Sequence, residues 1–320
     1  MTIRYVEFWA GAYDEDLSYR ELERACGNDP RTALRLVAEL STNWLSRGLA
    51  GEAARAAGRV LDALGPAVPA GLEEEYLLAV LLAPGTSDQK QLELAQRVAL
   101  ELDHFHYPMT VLLWAALFGP FETVEVVEEV LARNERAGDA WTRAAVQLCR
   151  GYPGLSGGDA RQESAALETA LARFRMLGDQ WGTFLVLTAM ADVSDMPLEL
   201  VSEALTLASE LELAEDAALL LCRRADLYRR QGDLEAARND YGSALLVAER
   251  VRLLETAAAA RIGLARIARY SGDLPTARKY AEAALTGCPG DLPEAREEAQ
   301  HELAAIESAS IPGPQRPAAP

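Results

Sequence analysis

The sequence is poor in lysine and contains no long uninterrupted apolar run. Only Lys90 and Lys279 are lysines among 31 basic residues, while 49 residues are acidic, which gives a formal net charge of −18. Such a chain lacks the clustered basic side chains that nucleic-acid binding requires. Neither lysine follows a glycine, so the Gly-Lys-Ser/Thr pattern of a phosphate-binding loop is also missing. We therefore expect no direct contact with nucleic acid and no nucleotide site in this sequence.

Cysteine is scarce as well, and no two cysteines form a C-x-x-C pair. We expect the four thiols to be reduced and largely buried, as is typical of a cytoplasmic protein. No apolar stretch approaches the roughly 20 residues that a membrane span requires, and no secretory leader is evident. The high arginine and alanine content is typical of a high-GC bacterial genome. The cysteines are Cys26, Cys149, Cys222 and Cys288.

Alternation of β-branched and polar residues is nearly absent, whereas alanine is abundant, and both features favour an all-α protein. Residues 217–250 show the pattern that organises the chain: an apolar helical run, a Gly232-Asp233 turn and a second helical run. Glycine can end the first helix in the left-handed conformation, and aspartate can cap the second. Small Ala225 and Ala237 would let the two antiparallel helices approach closely.

Similar offsets recur around three further glycines, Gly48, Gly158 and Gly272. Because one such hairpin cannot bury its apolar side alone, hairpins of this kind stack into arrays. The pattern resembles the tetratricopeptide repeat (TPR), strongly over residues 144–289 and moderately over residues 30–64. This resemblance implies an all-α fold, a right-handed superhelical array of antiparallel helical hairpins, that is, a TPR-like α-solenoid.

The sequence predicts four parts. Residues 1–27 form an N-terminal helical cap, and residues 28–291 form the TPR-like repeat domain. Residues 292–308 are predicted to be a charged C-terminal capping helix, which suits the exposed end of an array. Residues 309–320 are rich in proline, lack a core pattern and are predicted to be disordered.

Three stretches resemble the C-terminal repeat arm of large bacterial transcription regulators of the AfsR/SARP and LuxR types. They are residues 33–48, which end in NWLSRG, residues 140–159, and residues 170–182, ALARFRMLGDQWG. The resemblance implies an arm that senses a ligand or partner and restrains a nucleotide-binding switch domain linked to a DNA-binding domain. Neither of those two domains has its signature in this sequence.

The first helix of each hairpin is expected to line a concave groove. Arginines in such a groove can hold a carboxylate of a peptide or an acidic segment through paired hydrogen bonds. The alternative is that they pair with carboxylates of this chain, since surface ion pairs are common and weak. The predicted groove residues are Cys222, Asp226 and Arg229 in one repeat, and Ile262, Arg266 and Arg269 in the next.

Other chemistry has little support in the sequence. His104 and His106 follow Asp103, but alternating positions in a turn are a weak metal pattern and more typical of an exposed turn. No G-x-S-x-G elbow marks a nucleophile, and Cys222 lacks a flanking base, so we predict that it is a structural thiol. The single tryptophans, Trp44 and Trp114 among them, are predicted to pack in the core. We predict no catalytic residue, no metal and no cofactor.

The first functional hypothesis is a non-enzymatic interaction module, the regulatory or sensor arm of a bacterial transcription regulator without its DNA-binding and ATPase parts. It would bind a protein, a peptide or a small effector. The alternative is a stand-alone scaffold that joins two protein partners. The third hypothesis is an enzyme with a pocket between hairpins. No feature of the sequence indicates an oligomeric state.

Overall fold

The structure, a computed structural model, is helical wherever it forms regular elements. No strand occurs among the described residues, which confirms the all-α prediction. The chain divides into two compact units, residues 1–189 and residues 190–320, and this boundary falls inside the predicted repeat domain of residues 28–291. The structure describes residues 22, 24–65, 67–155, 157–194, 197–287 and 293–310.

The first unit is built from successive helices joined by short connections. A 3-10 turn, Gly119–Phe121, follows α5, and α9 (Gln180–Val193) spans the boundary between the units. The other helices of this unit are α1 (Pro30–Ser46), α2 (Ala50–Leu64), α3 (Glu73–Leu82), α4 (Gln89–Glu101), α5 (Pro108–Leu117), α6 (Val124–Ala137), α7 (Ala140–Arg150) and α8 (Ala160–Leu177).

The second unit continues the hairpin pattern. Its helices are α10 (Pro197–Glu210), α11 (Ala214–Gln231), α12 (Leu234–Val251), α13 (Leu254–Tyr270), α14 (Leu274–Gly287) and α15 (Pro293–Ser310). Helix α11 packs on α12 and α13 packs on α14, while α12 contacts α13, so that each hairpin rests on its neighbour. Helix α15 packs against both α13 and α14.

The helices of the second unit turn at the glycines that the sequence predicts. Gly232 and Gly272 have φ angles of +86° and +79°, the left-handed region that glycine adopts at low cost. Asp233 then accepts a hydrogen bond from the backbone N–H of Ala236 at 3.0 Å, which caps α12. Gly158 likewise lies in a loop, directly before α8. The predicted turn positions are therefore confirmed.

Small residues bring the hairpins of the second unit together. Ala225 and Ala237 are fully buried in one cluster with Tyr241, Leu264 and Ile267. A β-carbon at Gly263, on α13, would overlap the ring of Tyr241. Glycine is thus required there, because the bulky ring of α12 lies directly on the backbone of α13.

Aromatic side chains fill the core of the first unit. Trp44 and Trp114 are buried, as predicted. Trp141 stacks on Trp181 with ring centroids 6.1 Å apart, and its indole N–H donates to the Asp179 carboxylate at 2.9 Å. The buried ring systems of α7 and α9 are thereby fixed to each other within this unit.

The predicted ends of the chain are only partly described. Residues 1–21, 23 and 311–320 lie outside the described residues, so the N-terminal cap and the proline-rich tail stay predictions, except that the first two residues of the predicted tail, Ala309 and Ser310, belong to α15. The predicted C-terminal capping helix is α15, and its Ala299 and Ile306 are fully buried against α13 and α14. None of the described helices is both long and apolar enough to cross a membrane.

The buried contact at Ala225 supports a direct test of the hairpin packing. We expect Ala225→Trp to lower the free energy of unfolding by about 1–3 kcal/mol, because the added indole overpacks the cluster around Tyr241. Ala259→Trp is the matched control, since Ala259 lies exposed on α13. Urea unfolding followed by circular dichroism measures both; equal stability of the two variants would contradict this packing.

Candidate functional site

The predicted groove residues of α11 bind within their own hairpin. Asp226 accepts a hydrogen bond from the hydroxyl of Tyr241 at 2.7 Å and another from the guanidinium of Arg229 at 3.0 Å. Burial, reinforced by the hydrogen bond to Asp226, raises the pKa of Tyr241. Asp226 thus joins α11 to α12, and the Arg229 donors point to this carboxylate rather than into open solvent.

A second ion pair between α11 and α12 was not predicted from the sequence. The guanidinium of Arg224 donates to both carboxylate oxygens of Asp240, at 2.7 Å and 2.9 Å. The hydrogen bond with Asp240 raises the pKa of Arg224 despite its partial burial. This two-bond geometry fixes the orientation of both side chains. A basic residue on α11 and an acidic one on the following helix were the only signals available for it.

The predicted groove arginines of α13 are paired with α15. Arg269 donates to the two oxygens of Glu302, at 2.6 Å and 3.3 Å, and the Glu302 side chain is only 5% exposed. Arg266 lies 3.1 Å from Glu298 and 3.7 Å from Glu302. The hydrogen bond with Glu302 raises the pKa of Arg269. Both arginines therefore pair with carboxylates of this chain, which is the alternative to ligand binding that the sequence left open.

Of the two remaining predicted groove residues, Ile262 is buried, whereas the groove position of Cys222 stays a prediction. Ile262 is 1% exposed and packs against Ala284 and Ala299, so it does not line an open surface. The repeat offset misplaces it because α15 covers this side of α13. Cys222 is half-buried, and burial together with nearby carboxylates raises the pKa of its thiol to about 12. A raised pKa of this kind favours the protonated thiol at neutral pH, which fits the predicted structural role.

The pairing of Arg269 with a buried carboxylate has a measurable consequence. We expect Arg269→Ala to lower the free energy of unfolding by about 1–3 kcal/mol, because Glu302 then loses its closest partner inside the protein. Arg278→Ala is the control, since its side chain is 44% exposed and its ion-pair distances are 3.7 Å and 3.9 Å. Thermal unfolding of the two variants should separate them clearly, whereas equal melting temperatures would contradict a stabilising role for the pair.

A cleft of about 500 Å³ lies in the first unit between α6, α7 and α8. Arg150 of α7 joins α7 to α6 beside this cleft, because it donates to both oxygens of Glu128, at 2.6 Å and 3.1 Å, and to Glu135. Gln147 also donates to Glu135, at 2.8 Å. The lining residues are Glu128, Gln147, Arg150, Gly158, Gln162, Ala165, Ala166 and Thr169.

The sequence does not predict this cleft, because it depends on the pairing of Glu128 with a guanidinium from the next helix. A weak signal exists, because Gln147 and Arg150 lie three positions apart on α7 and so share one face. The two glutamates they contact, Glu128 and Glu135, are two turns apart on α6.

The turn that contains His104 and His106 packs against Glu74 in the first unit. Glu74, itself buried, accepts hydrogen bonds from the backbone N–H groups of His106 and Tyr107 and from the hydroxyl of Thr110. The Nδ1 atom of His106 lies 3.0 Å from the same carboxylate. Within the described ranges, no group of three His, Cys, Asp or Glu residues could hold a metal ion. Glu74 thus anchors the turn that leads into α5.

The pairing of Glu135 predicts how stability depends on acid pH. Burial alone would raise its pKa, but the hydrogen bonds from Arg150, Gln147 and Arg173 outweigh burial and hold the pKa below its ordinary value of 4.5. Ionised Glu135 therefore stabilises the fold above about pH 4.5, and this contribution is lost as the pH falls through the lower folded-state pKa. Glu135→Gln should remove this part of the pH dependence.

The measurement is the free energy of urea unfolding of wild type and Glu135→Gln between neutral pH and pH 3. The difference between the two proteins should be largest at neutral pH and should shrink on acidification. A difference that stays constant over this range would show that Glu135 has an unshifted pKa.

The comparisons with known proteins agree with the hairpin packing. Residues 215–289, which cover most of α11 to α14, match the family model described as tetratricopeptide repeat. A comparison with curated proteins finds no significant match.

Among solved structures, the chain is similar to a Signal Transduction ATPase with Numerous Domains (STAND) protein with a tetratricopeptide repeat sensor, from Pyrococcus horikoshii. The TM-score is 0.65 at 15% identity, over 94% of this chain and 51% of that one. The likeness shows the fold, a TPR-like helical-repeat array, and the chain spans about half the length of that ATPase. Tetratricopeptide repeats are a fold of protein-interaction modules.

Proposed function

We propose that this chain is a non-enzymatic interaction module, the sensor or regulatory arm of a bacterial transcription regulator. Its nucleotide-binding and DNA-binding parts would belong to another region or another polypeptide. Two stacked TPR-like hairpins, α11–α12 and α13–α14, carry the proposal. They belong to a fold similar to that of a STAND protein with a tetratricopeptide repeat sensor. The AfsR/SARP-like and LuxR-like stretches of the sequence support a role in transcription.

The helical array offers a physical route for sensing. In a repeat array each hairpin packs mainly on its neighbours, so a ligand that alters one contact changes the packing of the next. On α13, Arg266 and Arg269 are held by carboxylates of α15. The carboxylates of an acidic partner segment would displace the glutamates of α15 from these arginines. Glu298 would be displaced first, because its side chain is 59% exposed. Binding would thereby loosen α15 from α13.

One observation favours the alternative, a scaffold that joins two protein partners. The two compact units carry separate polar features: the cleft around Arg150 in the first unit and the ion pairs of α11 and α13 in the second. Two independent surfaces would allow two partners to bind at once. A scaffold needs no switch and no attached ATPase.

The test is affinity capture of the tagged chain from its native host, with identification of bound proteins by mass spectrometry. A regulatory arm should recover a nucleotide-binding or DNA-binding regulator, or be found fused to one, and its deletion should change transcription of a defined gene set. Recovery of two partners in one complex, with unchanged transcription, would support the scaffold instead. A tagged Ala225→Trp variant, predicted to be destabilised, controls for binding that needs the folded second unit.

A further inference from the structure

Two adjoining loops of the first unit each expose apolar side chains. The turn between α5 and α6 carries Pro120-Phe121, and the loop between α7 and α8 carries Tyr152-Pro153. Phe121 is 85% exposed, Tyr152 is 44% exposed, and Val124 at the start of α6 is 40% exposed. Exposed apolar side chains grouped on adjoining loops mark an interaction site more often than a scattered single residue does.

The two loops pack closely against each other. A β-carbon on Gly119 would lie 2.5 Å from Cδ1 of Leu155, and one on Gly157 would lie 2.6 Å from Cγ1 of Val124. Glycine at both positions therefore lets the loops approach closely. The backbone N–H of Gly154 also donates to the buried carboxylate of Glu163 at 2.9 Å. The apolar patch is thus preformed, and its shape is set by buried contacts beneath it.

The surroundings of this patch are acidic. Residues 119–131 contain four glutamates and no lysine or arginine. Glu125 is exposed next to Val124, and hydrogen bonds from its own backbone N–H and from the Thr123 side chain lower its pKa. Glu128 is already paired with Arg150, so Glu125 supplies the exposed negative charge beside the apolar side chains. Negative charge next to exposed apolar side chains selects a partner with basic residues beside an apolar one.

We propose that Phe121, Val124 and Tyr152 form a docking surface for a basic amphipathic segment of a partner protein. An apolar side chain of the partner packs on Phe121, while its lysine or arginine residues lie against Glu125. The acidic surroundings repel an anionic membrane, so a protein segment fits the charge better than a lipid surface does. This surface lies in the first unit and involves none of the arginines on α11 or α13.

The experiment uses the full chain and a fluorescent synthetic amphipathic peptide of leucine and lysine, with binding followed by fluorescence anisotropy. Phe121→Ser should weaken binding about tenfold, as expected for losing one buried aromatic contact. Met176→Ser is the matched control, because Met176 is 86% exposed in the same unit and should leave binding unchanged. Glu125→Gln should weaken binding about two- to fivefold, whereas Glu168→Gln, on exposed α8 surface, should not.

Amide hydrogen exchange supplies an independent readout. The peptide should protect residues 118–125 and 151–155 in wild type, and this protection should be lost in Phe121→Ser. Equal weakening by Phe121→Ser and Met176→Ser, or equal binding of a leucine–glutamate peptide, would overturn the proposal. Phe121-dependent binding to phosphatidylcholine vesicles without binding of the basic peptide would assign the patch to a membrane instead. Loss of the surface leaves the proposed signalling role of the second unit untouched.

Discussion

The ring of Tyr241 lies on the bare backbone of Gly263, and the second unit depends on this contact. Neither α12 nor α13 could approach the other so closely with a larger residue at that position. The alanines at 225 and 237 extend the same principle to the α11–α12 contact. Stacked hairpins gain their stability from many such short-range contacts between neighbours. Small residues at fixed offsets are therefore the main requirement that this fold places on its sequence.

Part of the excess acidic charge is paired with arginines that each donate to both oxygens of one carboxylate. Arg150 and Arg224 join neighbouring helices, and Arg269 joins α13 to α15. In each case a planar guanidinium meets a carboxylate that packing has partly removed from water. Arginine suits this role better than lysine because its fork of donors matches the two oxygens. The near absence of lysine thus fits the use of these cations to connect helices.

Much of the fold could be predicted from local signals, and the partners of its charged side chains could not. The turns at Gly232 and Gly272 were predictable because glycine and the following aspartate act within a few residues. The partner of Arg269 was not, because Glu302 lies on a later helix whose register no repeat offset supplies. Ile262 was misassigned for the same reason, since the repeat pattern does not include the helix that buries it. The apolar patch at Phe121 falls in a stretch with little repeat consensus.

Helix α15 covers a face of the second unit that would otherwise be open to further stacking. In a repeat array each hairpin buries its small-residue face against the next hairpin. Here Ala299 and Ile306 of α15 cover the small-residue face of α13 and α14, and Glu298 and Glu302 pair with its arginines. A single helix thus occupies the place beside α13 and α14 that another hairpin would take, and it withdraws this face from contact with a second molecule.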